Sequence, residues 1–114
     1  MKKWDVVLLA YPFTDLSAIK VRPAVLVSPD AENRVREDAV FLMITSNTDR
    51  DSVYDMVIED SHLEFGRTGL KKSSAVRANK LFTLKKTLVK TVLGSLGPDL
   101  RRTLSDNMRR YFEF

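Results

Sequence analysis

Apolar residues in this chain come in short blocks separated by polar or charged stretches, and most of the blocks have the length of a strand. Residues 6–13 (VVLLAYPF) form a continuous apolar run rich in β-branched and aromatic side chains, as a buried strand requires. Pro12 has no amide proton for a ladder, so the end of this strand is expected at an edge or bulge. Residues 14–21 (TDLSAIKV) are small and polar and predict a loop. A second buried strand follows over 23–28 (PAVLVS), with Pro23 forcing Arg22 into an extended conformation at its mouth. Residues 30–38 (DAENRVRED) are densely charged and predict an exposed connection. Residues 39–45 (AVFLMIT) predict a third strand and 46–52 (SNTDRDS) a turn-rich loop.

Residues 54–59 show part of the alternation of a half-buried strand. Residues 63–72 carry two glycines and no clear period. Residues 75–84 (AVRANKLFTL) predict a strand bent near Asn79, and 87–93 (TLVKTVL) a further one. The pattern then changes. Pro98 after Gly97 is well placed as a first helical residue. Leu100, Leu104, Met108, Tyr111 and Phe112 follow at helical spacing, with Arg101, Arg102, Arg109 and Arg110 mostly on other faces. Five or six short strands and one C-terminal helix predict a mainly β fold, a small and strongly bent sheet or partly open barrel. A strand edge is expected to remain, and a homodimer would cover it.

The 114 residues, 44% of them hydrophobic, suit one domain over 1–114. No apolar stretch approaches a membrane span, and Asp5 and Pro12 interrupt what would have to be a signal peptide. A cytoplasmic protein that does not engage membranes is expected. The absence of cysteine excludes disulfides, thiolate metal sites and cysteine nucleophiles. His62, the single histidine, all but excludes a histidine-type zinc site. It lies in a polar run and is read as an exposed loop residue with nothing nearby to fix its tautomer.

The net charge of +4 conceals a division. Residues 1–65 carry 7 Lys/Arg and 12 Asp/Glu, whereas residues 66–114 carry 12 Lys/Arg and 3 Asp/Glu. A basic half points to a polyanionic partner, either nucleic acid or an acidic peptide. There is no Gly-rich phosphate loop and no paired-carboxylate motif. Asp49/Asp51 and Asp55/Glu59/Asp60 read as solvated carboxylates. What remains is a set of polar residues at strand ends: Arg22, Thr45-Ser46, Ser73-Ser74 and Arg77-Ala78-Asn79. Arginine forks and hydroxyls suit a phosphodiester, provided that the fold brings them together.

Several segments resemble the MazF/PemK family of toxins. They are residues 5–8, Tyr11-Pro12-Phe13-Thr14-Asp15, Arg22-Pro23-Ala24-Val25-Leu26-Val27-Ser28, Ile44-Thr45-Ser46, residues 74–84 and Leu93-Gly94-Ser95-Leu96. They occur in family order from Asp5 onward. The resemblance implies an SH3-like β-barrel with a C-terminal helix, the CcdB/PemK-type toxin fold, usually as a homodimer. It also implies a sequence-specific endoribonuclease that cuts single-stranded RNA, often mRNA, without a metal or other cofactor. A cognate antitoxin would inhibit it by laying an acidic C-terminal segment over the RNA-binding grooves. By position, Arg22 would stabilise the phosphorane, Thr45 would hydrogen-bond the scissile phosphate, and Arg77 would bind phosphate or donate a proton. Lys20, Ser46, Ser73, Ser74, Asn79 and Lys80 would contact RNA.

Three departures accompany this resemblance. Asn79 stands where some members have a general-base Asp. The first loop has Asp15 as its nearest carboxylate, a possible substitute base at a different spacing. Trp4 stands where the family commonly has Gly. Two alternatives follow: a catalytically weakened member that only binds RNA or an acidic peptide, or a non-enzymatic gyrase poison of the CcdB type. The second alternative would act through the helix end Tyr111-Phe112-Glu113-Phe114.

Overall fold

A computed structural model describes residues 1–11 and 20–114. Of the loop expected over 14–21, residues 14–19 with Asp15 lie outside the described residues, as do Pro12 and Phe13, whereas Lys20 and Val21 belong to a strand, paired with Tyr11 and Ala10. Six strands form one antiparallel sheet: β1 (Asp5–Tyr11), β2 (Lys20–Leu26), β3 (Asp38–Thr45), β4 (Met56–Ile58), β5 (Ser74–Lys85) and β6 (Val89–Ser95). Their spatial order is β4-β5-β3-β2-β1-β6. Among the described residues there are also three α-helices, α1 (Asp30–Val35), α2 (Phe65–Thr68) and α3 (Pro98–Phe112). It is the mainly β fold with a C-terminal helix that the pattern predicts.

The sheet buries apolar side chains on both faces. Val6, Val25, Leu42, Ile44, Met56, Ile58 and Val76 face one way, where Leu100 and Leu104 of α3 cover them. Val7, Leu9, Tyr11, Ala24, Leu26, Phe41 and Leu84 face the other way. This explains why the first three strands read as unbroken apolar runs rather than alternating ones: both sides of each ribbon are covered.

The curl brings the connection after β4 against β6. Gly69, at φ 71, has no room for a side chain because a Cβ would collide with the Leu93 carbonyl. A Cβ on Gly94 would collide in turn with the Arg67 carbonyl. The two backbones thus meet at a seam that only glycine permits. Trp4 precedes β1 at φ 78, a left-handed setting that disfavours any residue with a Cβ. Its amide donates to the Leu26 carbonyl at 2.7 Å and its carbonyl accepts from Leu96 at 2.9 Å, so the setting is imposed by ladders on both sides. Glycine would adopt this backbone without that steric cost.

The charged segment 30–38 is not wholly exposed. It forms α1, anchored by the buried Asn33, whose Nδ2 donates to the Ser28 carbonyl at 2.9 Å. Strand β4 is shorter than the alternation over 54–59 predicts, because Asp55 turns inward to an ion pair. The strand expected over 87–93 begins at Val89, after a 3₁₀ turn over Lys86–Leu88. No helix is long and apolar enough to cross a membrane, among the described residues.

Candidate active site

Cross-strand pairing determines which candidate residues share a face. Ala24 pairs with Met43, and paired residues point to the same side of a sheet. Arg22 lies two residues before Ala24 and Thr45 two after Met43. Both therefore emerge on the same side, at the same end of β2 and β3, just past the last β2–β3 pair. Lys20 pairs with Tyr11 and Arg22 with Leu9, which adds Lys20 to that side.

β5 supplies the third part. Ile44 pairs with Val76 and Leu42 with Leu81, so residues 77–80 stand opposite Met43 alone. This large bulge is the bend predicted near Asn79. It carries Asn79 and Lys80 out to solvent. Arg22, Lys20, Lys80 and the exposed Ser46 thus flank one strand-end region that has Thr45 within it.

Arg22 is exposed and has no hydrogen-bond or ion-pair partner among the described residues, so its five donors are available to a ligand. Tyr11 lies beneath it, buried, with its hydroxyl donating a long bond to the Pro23 carbonyl at 3.5 Å. Burial pushes the Tyr11 phenol up to about 12, partly offset by the Arg22 charge. The phenol therefore stays protonated at neutral pH and is no base. Thr45 is half-buried; its Oγ1 accepts from the Asn47 amide at 3.2 Å, leaving its own proton free to donate.

Arg77 behaves otherwise. It emerges on the Thr45 side, but the residue is only 7% exposed and its guanidinium contacts the chain between residues 47 and 55. Nη1 donates to Asp55 Oδ2 at 2.5 Å and to the Asp49 carbonyl at 3.2 Å, and Nη2 donates to the Asn47 carbonyl at 3.3 Å. Asp51 adds a contact at 3.5 Å. The phosphate-facing Arg77 that the resemblance implies is not the arrangement seen, because both terminal nitrogens are engaged inside the chain.

Two further expectations need correction. Ser73 and Ser74 do not face the Arg22–Thr45 region with free hydroxyls. Ser74 is buried opposite Ile58 on the helix-covered face and donates to the Lys72 carbonyl at 2.8 Å. Ser73 Oγ accepts the Asp60 amide at 2.8 Å and ties the β4–β5 connection. His62 is half-buried rather than exposed, and its tautomer is fixed: Nδ1 accepts the Glu64 amide at 2.9 Å.

The residue that the sequence hid is Asp55. Set in an acidic run, it reads as solvated, yet it is 2% exposed. The signal lies in a partner 22 positions away, and no local pattern records it. Among the described residues, no group of three or more His, Asp or Glu converges as a metal site would require.

The structure is a curled β-sheet with a terminal helix, and at one strand end a hydroxyl stands among cations that are unpaired within the described residues. The chain belongs to the PemK-like, MazF-like toxins of type II toxin–antitoxin systems, whose family model matches residues 2–112. No curated protein matches the sequence. Solved structures share the fold. One is an endoribonuclease in complex with its cognate antitoxin from a mycobacterial species, 19% identical with a TM-score of 0.79 over 100% of this chain and 96% of that one. Another is MazF in a MazE–MazF complex from Deinococcus radiodurans, 19% identical with a TM-score of 0.76 over 100% and 97%. A third is the Mycobacterium tuberculosis toxin MazF-mt6, 14% identical with a TM-score of 0.77 over 96% and 97%.

Proposed function

We propose that this toxin is a sequence-specific endoribonuclease that cleaves single-stranded RNA or mRNA, works in the cytoplasm as a homodimer, and is neutralised by a cognate antitoxin through an acidic segment. The observation that carries the reading is the pairing of an exposed, unpartnered Arg22 with the Thr45 hydroxyl on one face at one strand end. Family membership and the endoribonucleases that share the fold support it.

In this reading the RNA's own 2′-OH attacks the adjacent phosphorus and the P–O5′ bond breaks. The products are a 2′,3′-cyclic phosphate and a 5′-OH. The 2′-OH proton leaves to a base, and the departing O5′ takes one from water. Arg22 neutralises the charge that develops on the phosphorane oxygens, and Thr45, with Ser46 beside it, donates to a non-bridging oxygen. Both act by position and charge rather than by supplying a nucleophile. Lys20 and Lys80 hold the flanking backbone, and Asn79 offers an amide to a base or phosphate. Asp15 is the carboxylate proposed for the base.

The test uses a long, defined RNA in EDTA, with the parent beside Arg22→Ala. Cuts at one short recurring sequence, ending in cyclic phosphate and lost in Arg22→Ala, are the expected result. An Arg22→Ala protein that cuts as fast as the parent would overturn the site, and an uncut RNA the activity. One observation favours a second reading: Phe114 is 90% exposed beyond Tyr111 and Phe112, as a protein-directed poison of the gyrase type would need. Its stacking on Phe112 at 5.7 Å gives those rings a packing role as well. Unaltered supercoiling by purified gyrase with excess toxin would remove that alternative.

A further inference from the structure

The buried Arg77–Asp55 pair costs desolvation of two charges and lies under a loop rather than in the core, so stability alone is a poor reason for it. Its contacts run in one direction. Asp55 fixes the guanidinium from behind. The guanidinium then holds the carbonyls of Asn47 and Asp49 from below. The Asn47 amide, on the preceding peptide, donates to Thr45 Oγ1 at 3.2 Å. Asn47 Oδ1 in turn accepts the Asp49 amide at 2.9 Å, which closes the turn. Arg77 is thus connected to the Thr45 hydroxyl through a single residue. The amide occupies one lone pair of that hydroxyl, and this restricts where its proton can point.

We propose that Arg77 and Asp55 are positioning residues: together they fix residues 46–54 as a wall of the RNA site and aim the Thr45 hydroxyl at the scissile phosphate, while Arg77 itself does not touch phosphate. This assignment rests on the ribonuclease reading for its effect on rate, but not for its effect on the loop. It differs from the role that the resemblance implies for Arg77. A direct phosphate ligand would gain freedom if Asp55 lost its charge. A positioning residue would lose its anchor.

Asp55→Asn separates the two, assayed far below its melting temperature and with KM and kcat resolved. The expected result is a fall in kcat of about 10- to 100-fold, as for a misplaced catalytic group, with KM changed less than about threefold. In a Thr45→Val background the same substitution should cost less than about threefold, because its effect passes through that hydroxyl. Arg77→Lys, which keeps a cation on Asp55 but loses the fork that spans two carbonyls, should repeat the pattern if Asp55→Asn folds poorly. Tryptic cleavage after the exposed Arg50 reads the loop without RNA. It should be slow in the parent and about tenfold faster in Asp55→Asn.

Unchanged or faster RNA cutting by Asp55→Asn, or a full cost that persists in Thr45→Val, would overturn the proposal. Equal tryptic cleavage in parent and variant would overturn it whether or not the protein cuts RNA. If the parent leaves RNA intact while the Arg50 difference is present, the ribonuclease reading fails and the loop anchor stands.

Discussion

Arg22 and Arg77 emerge on the same side of one sheet and live in opposite environments. Arg22 stands in solvent with no partner among the described residues, whereas Arg77 is buried against a carboxylate and two carbonyls. The difference lies in what each strand meets next. β2 starts at Lys20 with nothing folded over Arg22's tip among the described residues. β5 bulges at 77–80 directly under the loop that follows β3. An arginine at a strand end is thus not a functional class in itself. A free guanidinium can serve a ligand, and one whose two terminal nitrogens are both engaged serves the chain.

The largest expected effect tests the buried partner. Arg77→Ala leaves Asp55 uncompensated, and urea unfolding should show a loss of about 3–5 kcal/mol. A loss under 1 kcal/mol would mean that water already reaches the pair. Next comes the free partner. Arg22→Ala should lower kcat/KM by about 10²–10³-fold with an unchanged melt, the cost of removing one donor from a developing oxyanion. A large drop in melting temperature would erase the contrast between the two arginines.

Glu64 offers a third charged side chain, bound to backbone alone. Its carboxylate accepts the Asp99 and Leu100 amides at 3.0 and 2.9 Å, at the start of α3. Burial pushes this carboxyl up, but those two bonds and nearby positive charge, Arg67 included, outweigh it and hold it below its ordinary 4.5. The cap's contribution is therefore complete above the unfolded pKa and disappears as pH falls through the lower folded value. Glu64→Ala should cost about 1 kcal/mol at pH 7. The gap to the parent should narrow in acid, and a gap independent of pH would refute the ionised cap. The smallest effect concerns the outlying cations. Lys80→Ala should reduce the salt slope of RNA binding by about 0.7, one phosphate's worth for a single strand. An unchanged slope would place Lys80 off the RNA path.

The apolar runs made β1, β2 and β3 legible, since ribbons covered on both faces need no alternation to be recognised. The bend in β5 was legible in Arg77-Ala78-Asn79-Lys80, which interrupts two apolar stretches. The helices α1 and α2 were not, because six and four residues carry too little periodicity and are held by remote partners. Lys86 Nζ on the Asn33 carbonyl at 2.6 Å is one such partner. The placement of Arg22 and Thr45 near strand ends was readable, because it follows from Pro23 and from the apolar run before Thr45. Asp55 was not, because an acid among acids looks solvated until its distant cation is known. Ser73 and Ser74 misled for a related reason: a hydroxyl at a strand end serves a backbone turn as readily as a ligand.

The cap on α3 comes from residue 64 and not from the helix's own flank, where Gly97 leaves just enough space for that carboxylate. Glu64 also adjoins α2, whose end meets β6 at the Gly69–Leu93 and Gly94–Arg67 contacts. Loosening the seam would therefore uncap the helix, and fraying the helix would release the seam. The two should open as one cooperative unit, with the amides of Asp99 and Leu100 exchanging with solvent at the rate of the seam rather than at that of a helix end.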